Sequence, residues 1–184
     1  MITLLALLLA LAANSNAAAP KYPHVVDTSF TAPDGSPTLE QSVIIDAPVA
    51  VLWQAYVDPA QFARWNAPFE AVDLRVGGSI EASYDVNAKI GDADNIKHWI
   101  ITYLPERLLV FKNIQAPRTF PHPEVFQRTV IVVRYEPLGS NLTRVSVDVS
   151  GWGSGPDDKQ IYGFFQSGNA SLLEKMRSVY GLGG

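Results

Sequence analysis

The sequence contains no cysteine, and this absence excludes several classes of protein at once. Without thiols the chain can form no disulfide framework, no cysteine nucleophile and no cysteine-based zinc site. Basic residues are also few, with 14 Lys and Arg against 18 Asp and Glu, and they form no run. Nucleic acid is therefore not expected as a partner, because neutralising phosphates needs clustered Lys and Arg. The G-x-S-x-G, P-loop and H-E-x-x-H motifs are absent as well, so no catalytic signature points to an enzyme.

The first residues contain an unbroken run of Leu and Ala at positions 4–13. This run is too short for a transmembrane helix, which needs about 20 residues to cross a hydrocarbon core of about 30 Å. Small residues follow at Ser15 and Ala17, as is typical of a signal-peptidase site. The first three residues carry no Lys or Arg, so either the amino terminus supplies the positive charge or the true start lies elsewhere. We predict a signal peptide at residues 1–17, a periplasmic or secreted protein, and no stable membrane anchor after cleavage.

The rest of the chain is expected to form one domain between a short tether and a short tail. We predict the tether at residues 18–24, the domain at 25–180 and a disordered tail at 181–184. A chain of 184 residues fits one domain or at most two. A core of about 150 residues buries about 68–70% of its unfolded surface, so the fold needs neither disulfides nor metals.

Two strands and two short helices are predicted at the start of this domain. The strands are expected at residues 25–31 and 39–46, on either side of a Pro-Asp-Gly turn. Pro48 can occupy the first position of a helix, where its missing N–H is not needed. Apolar residues then recur at helical spacing as far as Tyr56. A second short helix is predicted from Pro59 to Trp65.

From residue 71 onward the apolar pattern alternates with a period of two, which predicts strands. Six are expected, at residues 71–76, 80–86, 96–104, 108–113, 129–136 and 142–152. Their connections are too short for crossover helices, so an antiparallel meander is predicted. Asp157 to Tyr180 then predicts one long amphipathic helix. This order favours an α+β helix-grip fold, in which a curved antiparallel sheet wraps around the long C-terminal helix and two short helices follow the first core strand.

The alternation on the strands predicts which side chains face the inside of the sheet. Charged neighbours mark the outer face, so Phe111, Asn113 and Tyr135 are expected to point inward. Strand 96–104 is ambiguous: we assign Trp99 inward, although the alternate parity would place His98 there. The predicted ligand-binding residues are Tyr84, Trp99, Tyr103, Phe111, Asn113, Tyr135, Phe165 and Gly168. A filled core with no cavity is the alternative.

Two blocks of sequence, residues 43–53 and 58–78, resemble the SRPBCC superfamily, and within it the branch named after the activator of a heat-shock chaperone ATPase. The segments 103–111 and 150–152 are similar too, and the resemblance covers about residues 25–180. Segments 120–124 and 164–169 resemble exported bacterial members of uncharacterised activity. The resemblance implies the START-like, birch-pollen-allergen-like helix-grip fold and, commonly, a hydrophobic ligand cavity. It implies no shared catalytic set, and Val149 stands where many relatives carry His or another polar residue.

These observations favour an exported carrier or sensor for a small hydrophobic molecule or lipid. No cofactor, metal site or catalytic residue is predicted for this function, and the oligomeric state stays open. The segment 120–124, which contains His122 and Glu124, is expected to be a Pro-rich loop, either a lid over the cavity mouth or a rigid surface loop.

Two alternatives remain. The first is an acid–base enzyme, cyclase-like or hydratase-like, with His98 or His122 as the base and Tyr84 or Tyr103 as the acid. It requires one of the two histidines to reach a substrate-sized cavity. The second is a co-chaperone-like interaction module, which requires an exposed apolar patch on the outer face of the sheet.

Overall fold

The computed structural model describes residues 21–181, so the predicted signal peptide, residues 18–20 of the tether and residues 182–184 lie outside the described part. Nine strands and four helices are present in this range. The strands are β1 (Val25–Asp27), β2 (Phe30–Thr31), β3 (Pro37–Ile45), β4 (Phe69–Val72), β5 (Ser79–Ser83), β6 (Ile96–Leu104), β7 (Leu108–Gln115), β8 (Val130–Gly139) and β9 (Leu142–Ser150). The helices are α1 (Val49–Val57), α2 (Pro59–Phe62), α3 (Pro123–Arg128) and α4 (Pro156–Tyr180).

All the strand pairs are antiparallel, and the order along the sheet is β1-β3-β9-β8-β7-β6-β5-β4. The strands β4 to β9 follow each other as a meander, and β3 joins the far end by pairing with β9 from Leu39 opposite Val149 to Ile45 opposite Thr143. The predicted first strand is split in two, since both β1 and β2 pair with β3. The sheet order otherwise confirms the predicted meander.

The long helix α4 lies against the concave face of the sheet. Its buried side chains include Ile161, Leu173 and Met176, which join the main hydrophobic core. Pro156 occupies its first turn, and the Asp158 carboxylate accepts a hydrogen bond from the Gly153 N–H at 2.7 Å. A negative charge is favoured at this end of a helix, because the unpaired N–H groups are partly positive. The helix-grip architecture predicted from the sequence is confirmed. Among residues 21–181, no helix is long and apolar enough to cross a membrane.

The two short helices close one end of the sheet. The indole Nε1 of Trp65 donates a hydrogen bond to the Ala55 carbonyl at 2.7 Å, which ties the segment after α2 to α1. The hydroxyl of Tyr180, the last residue of α4, donates to the Gln61 carbonyl at 2.7 Å. Helix α2 ends at Phe62, earlier than predicted, but Trp65 is still buried.

Helix α3 was not predicted, since the sequence suggested a loop in this region. It begins at Pro123, and His122 before it has a left-handed backbone with φ of 51°. Val125 and Phe126 are buried. A helix of six residues is too short to show a repeating apolar stripe, so only its packing against the sheet reveals it.

The predicted inward position of Trp99 is wrong. His98 pairs with Asn113 and Ile100 pairs with Phe111, so the alternate parity holds in the first half of β6. An irregularity between Ile100 and Thr102 then inserts one residue, and Tyr103 faces inward opposite Leu109. A β-bulge reverses the alternation beyond it, so neither simple parity describes the whole strand. Trp99 is consequently 47% exposed.

Candidate functional site

A cavity of about 530 Å³ lies between the concave face of the sheet and α4. Its volume falls within the range of about 300–1,000 Å³ that is usual for small-molecule pockets. Aromatic side chains from five different elements contribute to its wall, namely Tyr56, Phe62, Phe111, Phe126 and Phe165. The aliphatic side chains of Ile96, Ile131, Val147 and Leu172 add to this wall. The wall is therefore mainly apolar.

Two exposed aromatic residues mark the mouth of the cavity. Tyr84, just after β5, is 66% exposed, and Phe164 on α4 is 61% exposed, yet both line the cavity. Phe120 lies edge-on to Phe164, with ring centroids 5.5 Å apart. The segment before α3 thus borders the mouth, and its role as a lid stays a prediction.

A chain of hydrogen bonds forms the polar corner of the cavity. His98 on β6 lies opposite Asn113 on β7, and its Nδ1 is 2.6 Å from the Asn113 Oδ1. The Asn113 Nδ2 donates to the Thr129 Oγ1 at 2.6 Å, and this hydroxyl donates to the Phe126 carbonyl at 2.8 Å. Asn113 and Thr129 are fully buried. His98 and Asn113 both line the cavity, so the chain connects the cavity surface to α3.

The electrostatics of this corner keep His98 neutral. Burial lowers its pKa from the ordinary 6.5 to about 4, and the hydrogen bond with Asn113 opposes this shift only in part. Burial disfavours the charged imidazolium because a low-dielectric surrounding solvates it poorly. At pH 7 the ring is therefore an uncharged hydrogen-bonding group.

Glu70 is a second polar group on the concave side, and it was missed because the predicted strand began at residue 71. It lies opposite Ala82, which lines the cavity, and residues directly opposite each other share a face of the sheet. Burial, assisted by Asp58, raises the pKa of Glu70 to about 8. Neither carboxyl oxygen has a hydrogen-bond partner among residues 21–181. At neutral pH this side chain is mainly a neutral acid.

The structure brings five of the predicted ligand-binding residues to the cavity wall. They are Tyr84, Phe111, Asn113, Phe165 and Gly168. The predicted roles of these residues in binding stay predictions. At Gly168 an added Cβ would meet no heavy atom within 4 Å, so the helix leaves free space there.

The other three predicted residues do not line this cavity. Trp99 lies on the outer face of the sheet. Tyr103 and Tyr135 pack against Trp53, with ring centroids 6.4 Å and 5.6 Å from it, in a different part of the core. The Tyr103 hydroxyl donates to the Leu74 carbonyl at 3.3 Å.

His122 also lies away from the cavity lining. Its Nδ1 is 3.3 Å from the Asp157 Oδ2 and 3.9 Å from the Glu124 Oε1. These three residues offer ligand atoms within 4.8 Å of one another, which is the one such group found among residues 21–181 that could hold a metal ion. The sequence did not suggest it, because Asp157 comes from the distant helix α4.

A larger groove, of about 920 Å³, lies on the outer side of the sheet. Arg107, Arg134, Arg144, Glu40 and Glu136 contribute to its wall. Arg134 pairs with Asp148 at 2.9 Å, and Arg144 pairs with Glu136. The wall is mixed, because the exposed side chains of Val26 and Ile44 lie among these charged groups. It therefore differs from the apolar patch that a co-chaperone-like module would require.

Comparison with solved structures shows the same fold in several proteins. A protein from Mesorhizobium loti is 22% identical, with a TM-score of 0.59 over 77% of this chain and 95% of that chain. The Aha1 dimer from Colwellia psychrerythraea is 16% identical, with a TM-score of 0.61 over 79% of this chain and 97% of that one. An HSP90 activator from Plasmodium falciparum is 15% identical, with a TM-score of 0.51 over 71% and 88%.

No curated protein matches the chain significantly. The sequence model of the family described as "Activator of Hsp90 ATPase homolog 1-like protein" matches residues 46–181. This range runs from the end of β3 to the end of α4 and includes every residue of the polar corner. The chain therefore belongs to the Activator of Hsp90 ATPase homolog 1-like protein family, as its resemblance to that branch of the SRPBCC superfamily implied.

Proposed function

We propose that this protein is an exported binding protein that carries or senses a small, mainly apolar molecule in the cavity between the sheet and α4. The observation that carries the proposal is the cavity of about 530 Å³ with aromatic walls from five elements. Removing apolar surface from water contributes about 25 cal/mol per Å², so burial in this cavity favours the binding of an apolar ligand. The mouth beside Tyr84 and Phe164 gives such a ligand a route inward.

The export part of the proposal is supported by the sequence alone. The Leu and Ala run at residues 4–13 and the small residues at Ser15 and Ala17 have the pattern of a signal peptide. Amino-terminal sequencing of the mature protein tests this. A mature chain that begins at Ala18 supports export, and an intact residue 1 in the purified native protein contradicts it.

The ligand part is tested by extracting protein purified from its own compartment and by native mass spectrometry of the same sample. We expect one bound small molecule per chain. A neutral fluorescent apolar probe, N-phenyl-1-naphthylamine, should also bind and be displaced by the extracted molecule. No bound molecule, together with no affinity across a broad panel of lipids and metabolites, would contradict the proposal.

Acid–base catalysis in the same cavity is the second candidate, because His98 reaches the cavity wall. His122 and Tyr103 do not line it, so Tyr84 is the remaining acid of the predicted set. With a pKa of about 4, however, His98 is a weak base at neutral pH, whereas general-base catalysis is most efficient when the pKa is near the working pH. Binding is therefore favoured over catalysis. Conversion of the extracted molecule by the wild-type protein, lost in a His98→Phe variant, would reverse this preference.

A further inference from the structure

The hydrogen-bond chain in the polar corner has only one consistent direction. It ends at the Phe126 carbonyl, which can only accept a hydrogen bond. The single proton of the Thr129 hydroxyl is therefore donated to this carbonyl. Towards Asn113 this hydroxyl can then only accept, and the amide atom facing it is the NH₂ group. The Asn113 oxygen is thereby turned towards His98. Because an amide oxygen only accepts, the His98 Nδ1 must carry the proton.

A neutral imidazole has one N–H, so the second nitrogen of His98, Nε2, carries a lone pair. No hydrogen bond joins Nε2 to any of the residues 21–181, and the ring lines the cavity. Phe111 and Phe126 flank the ring, with centroids 4.7 Å and 6.5 Å away. Asn113 and Thr129 are fully buried, so water cannot replace one of their hydrogen bonds and reverse the direction of donation along the chain. The chain thus fixes Nε2 as a hydrogen-bond acceptor in a mainly apolar wall that also contains the polar side chains of Asn66, Asn169 and Ser171.

We propose that the cavity selects a neutral, mainly apolar ligand with a hydroxyl group that donates a hydrogen bond to the His98 Nε2. The inference rests on the proposed binding function and names the chemical class of its ligand. A carboxylate would place its oxygens against the lone pair, and none of the described residues that line the cavity is Lys or Arg. A buried anion without a partner is costly. A methyl ether of the same skeleton would leave Nε2 without a donor.

The tautomer can be tested directly in the unmodified protein, before any ligand is known. Long-range ¹H–¹⁵N correlation spectra at pH 7 distinguish a ring protonated on Nδ1 from one protonated on Nε2. We expect His98 to be protonated on Nδ1, which is the less common form in free histidine. Protonation on Nε2 would overturn the inference and leave the proposed binding function unaffected.

Ligand selectivity is tested by calorimetry with three matched probes, namely 2-naphthol, 2-methoxynaphthalene and 2-naphthoate. At pH 7 we expect 2-naphthol to bind about 5- to 100-fold more tightly than the ether, the usual range for leaving one buried hydrogen-bonding group unpaired. The carboxylate should bind weakest. Equal affinity of the alcohol and the ether would overturn the inference but support the cavity. No binding by any of the three would contradict the binding function itself, and this inference with it.

A variant separates the acceptor from the shape of the site. His98→Phe keeps a ring in the wall but removes Nε2, so the preference for 2-naphthol over its ether should disappear while the ether still binds. Thr129→Val removes the hydroxyl that sets the direction of the chain, and the preference should shrink. A His98→Phe protein that binds the ether and retains the full preference for the alcohol would overturn the inference.

Discussion

Gly168 and Gly163 are two glycines of α4 at which an added Cβ would meet nothing within 4 Å, but only Gly168 lines the cavity. Replacing either with Leu should stabilise the helix, because Gly costs about 0.8–1.0 kcal/mol relative to a good helix former. Gly168→Leu should also fill part of the cavity and abolish probe binding, whereas Gly163→Leu should not. Thermal melts and N-phenyl-1-naphthylamine titration of both variants check this. Collapse of the Gly168→Leu protein would show a close-packed seam instead of a cavity.

The lowered pKa of His98 should make the free energy of unfolding decrease as the pH becomes acidic. Between pH 6.5 and about 4 the unfolded chain binds a proton at this ring and the folded protein does not. Stability present above pH 6.5 is therefore lost as the pH falls, by about 1.4 kcal/mol per unit of pKa shift, or about 3 kcal/mol in all. Urea unfolding at pH 7 and pH 4.5 should show this loss in the wild type, and His98→Phe should show less of it. An equal loss in both proteins would contradict the assignment.

The raised pKa of Glu70 has the opposite effect on stability, which decreases as the pH rises. Between pH 4.5 and about 8 the unfolded chain loses this proton while the folded protein keeps it. Stability is thus full below pH 4.5 and falls as the pH rises through 8, by roughly 5 kcal/mol. Glu70→Gln keeps the shape without the charge, so its stability should change less between pH 5 and pH 8. Unfolding curves that change in parallel for both proteins would refute this.

At the residue scale, the sequence predicted the cavity wall where alternation is regular. Phe111 and Asn113 were placed correctly, because Lys112 between them marks the outer face. The side chain of Trp99 was assigned to the inner face because Tyr103 was, but the bulge between them in β6 puts the two on opposite faces. The bulge depends on pairing with β7, which the local sequence pattern does not indicate. Glu70 was missed because the predicted strand began one residue later than the position of Glu70, and a buried, unpaired carboxyl is unusual for a charged residue type.

At the element scale, long periodic segments were predictable and short ones were not. Helix α4 and the meander have patterns that repeat several times. Helix α3 has a single turn and a half, and the position of His122 beside Asp157 depends on how α3 packs near α4. Glu124 of the candidate cation cluster and the end of the polar chain at Phe126 both lie on this short helix, which explains why sequence reasoning did not assemble them.

One face of α4 borders the cavity and another enters the close-packed core, so truncations on the two faces should differ. Phe165 packs on Trp152 and Phe126, with centroids 5.3 Å and 5.9 Å away, but also lines the cavity. Phe165→Ala should therefore cost less than the 3–5 kcal/mol usual for a filled core, about 1–3 kcal/mol. Leu173→Ala, at a site that is 2% exposed, should cost about 2–5 kcal/mol. Urea unfolding of both measures this, and a severe defect in Phe165→Ala would favour a filled core.

At the scale of the whole molecule, the sheet and α4 enclose the cavity together, so a bound ligand should stabilise the entire fold. Elements distant in sequence meet there: β5, β6 and β7 on one side and α4 on the other. A ligand that binds only the folded state adds RT ln(1 + [L]/Kd), which is about 2.7 kcal/mol at a ligand concentration one hundred times Kd. The sequence could suggest the cavity but not this coupling, because it depends on the closed arrangement of the elements.

The last prediction uses this coupling to separate a native ligand from an accidental cavity. Protein unfolded in urea, stripped of small molecules and refolded should melt at a lower temperature than protein purified natively, because the native ligand is gone. Adding back the extracted molecule should restore the original melting temperature in the wild type. Gly168→Leu should melt at the same temperature before and after stripping, since its filled cavity holds no ligand, and Gly163→Leu should behave like the wild type. If the stripped and native wild-type proteins melt together, no ligand contributes to the fold and the carrier proposal loses its physical basis.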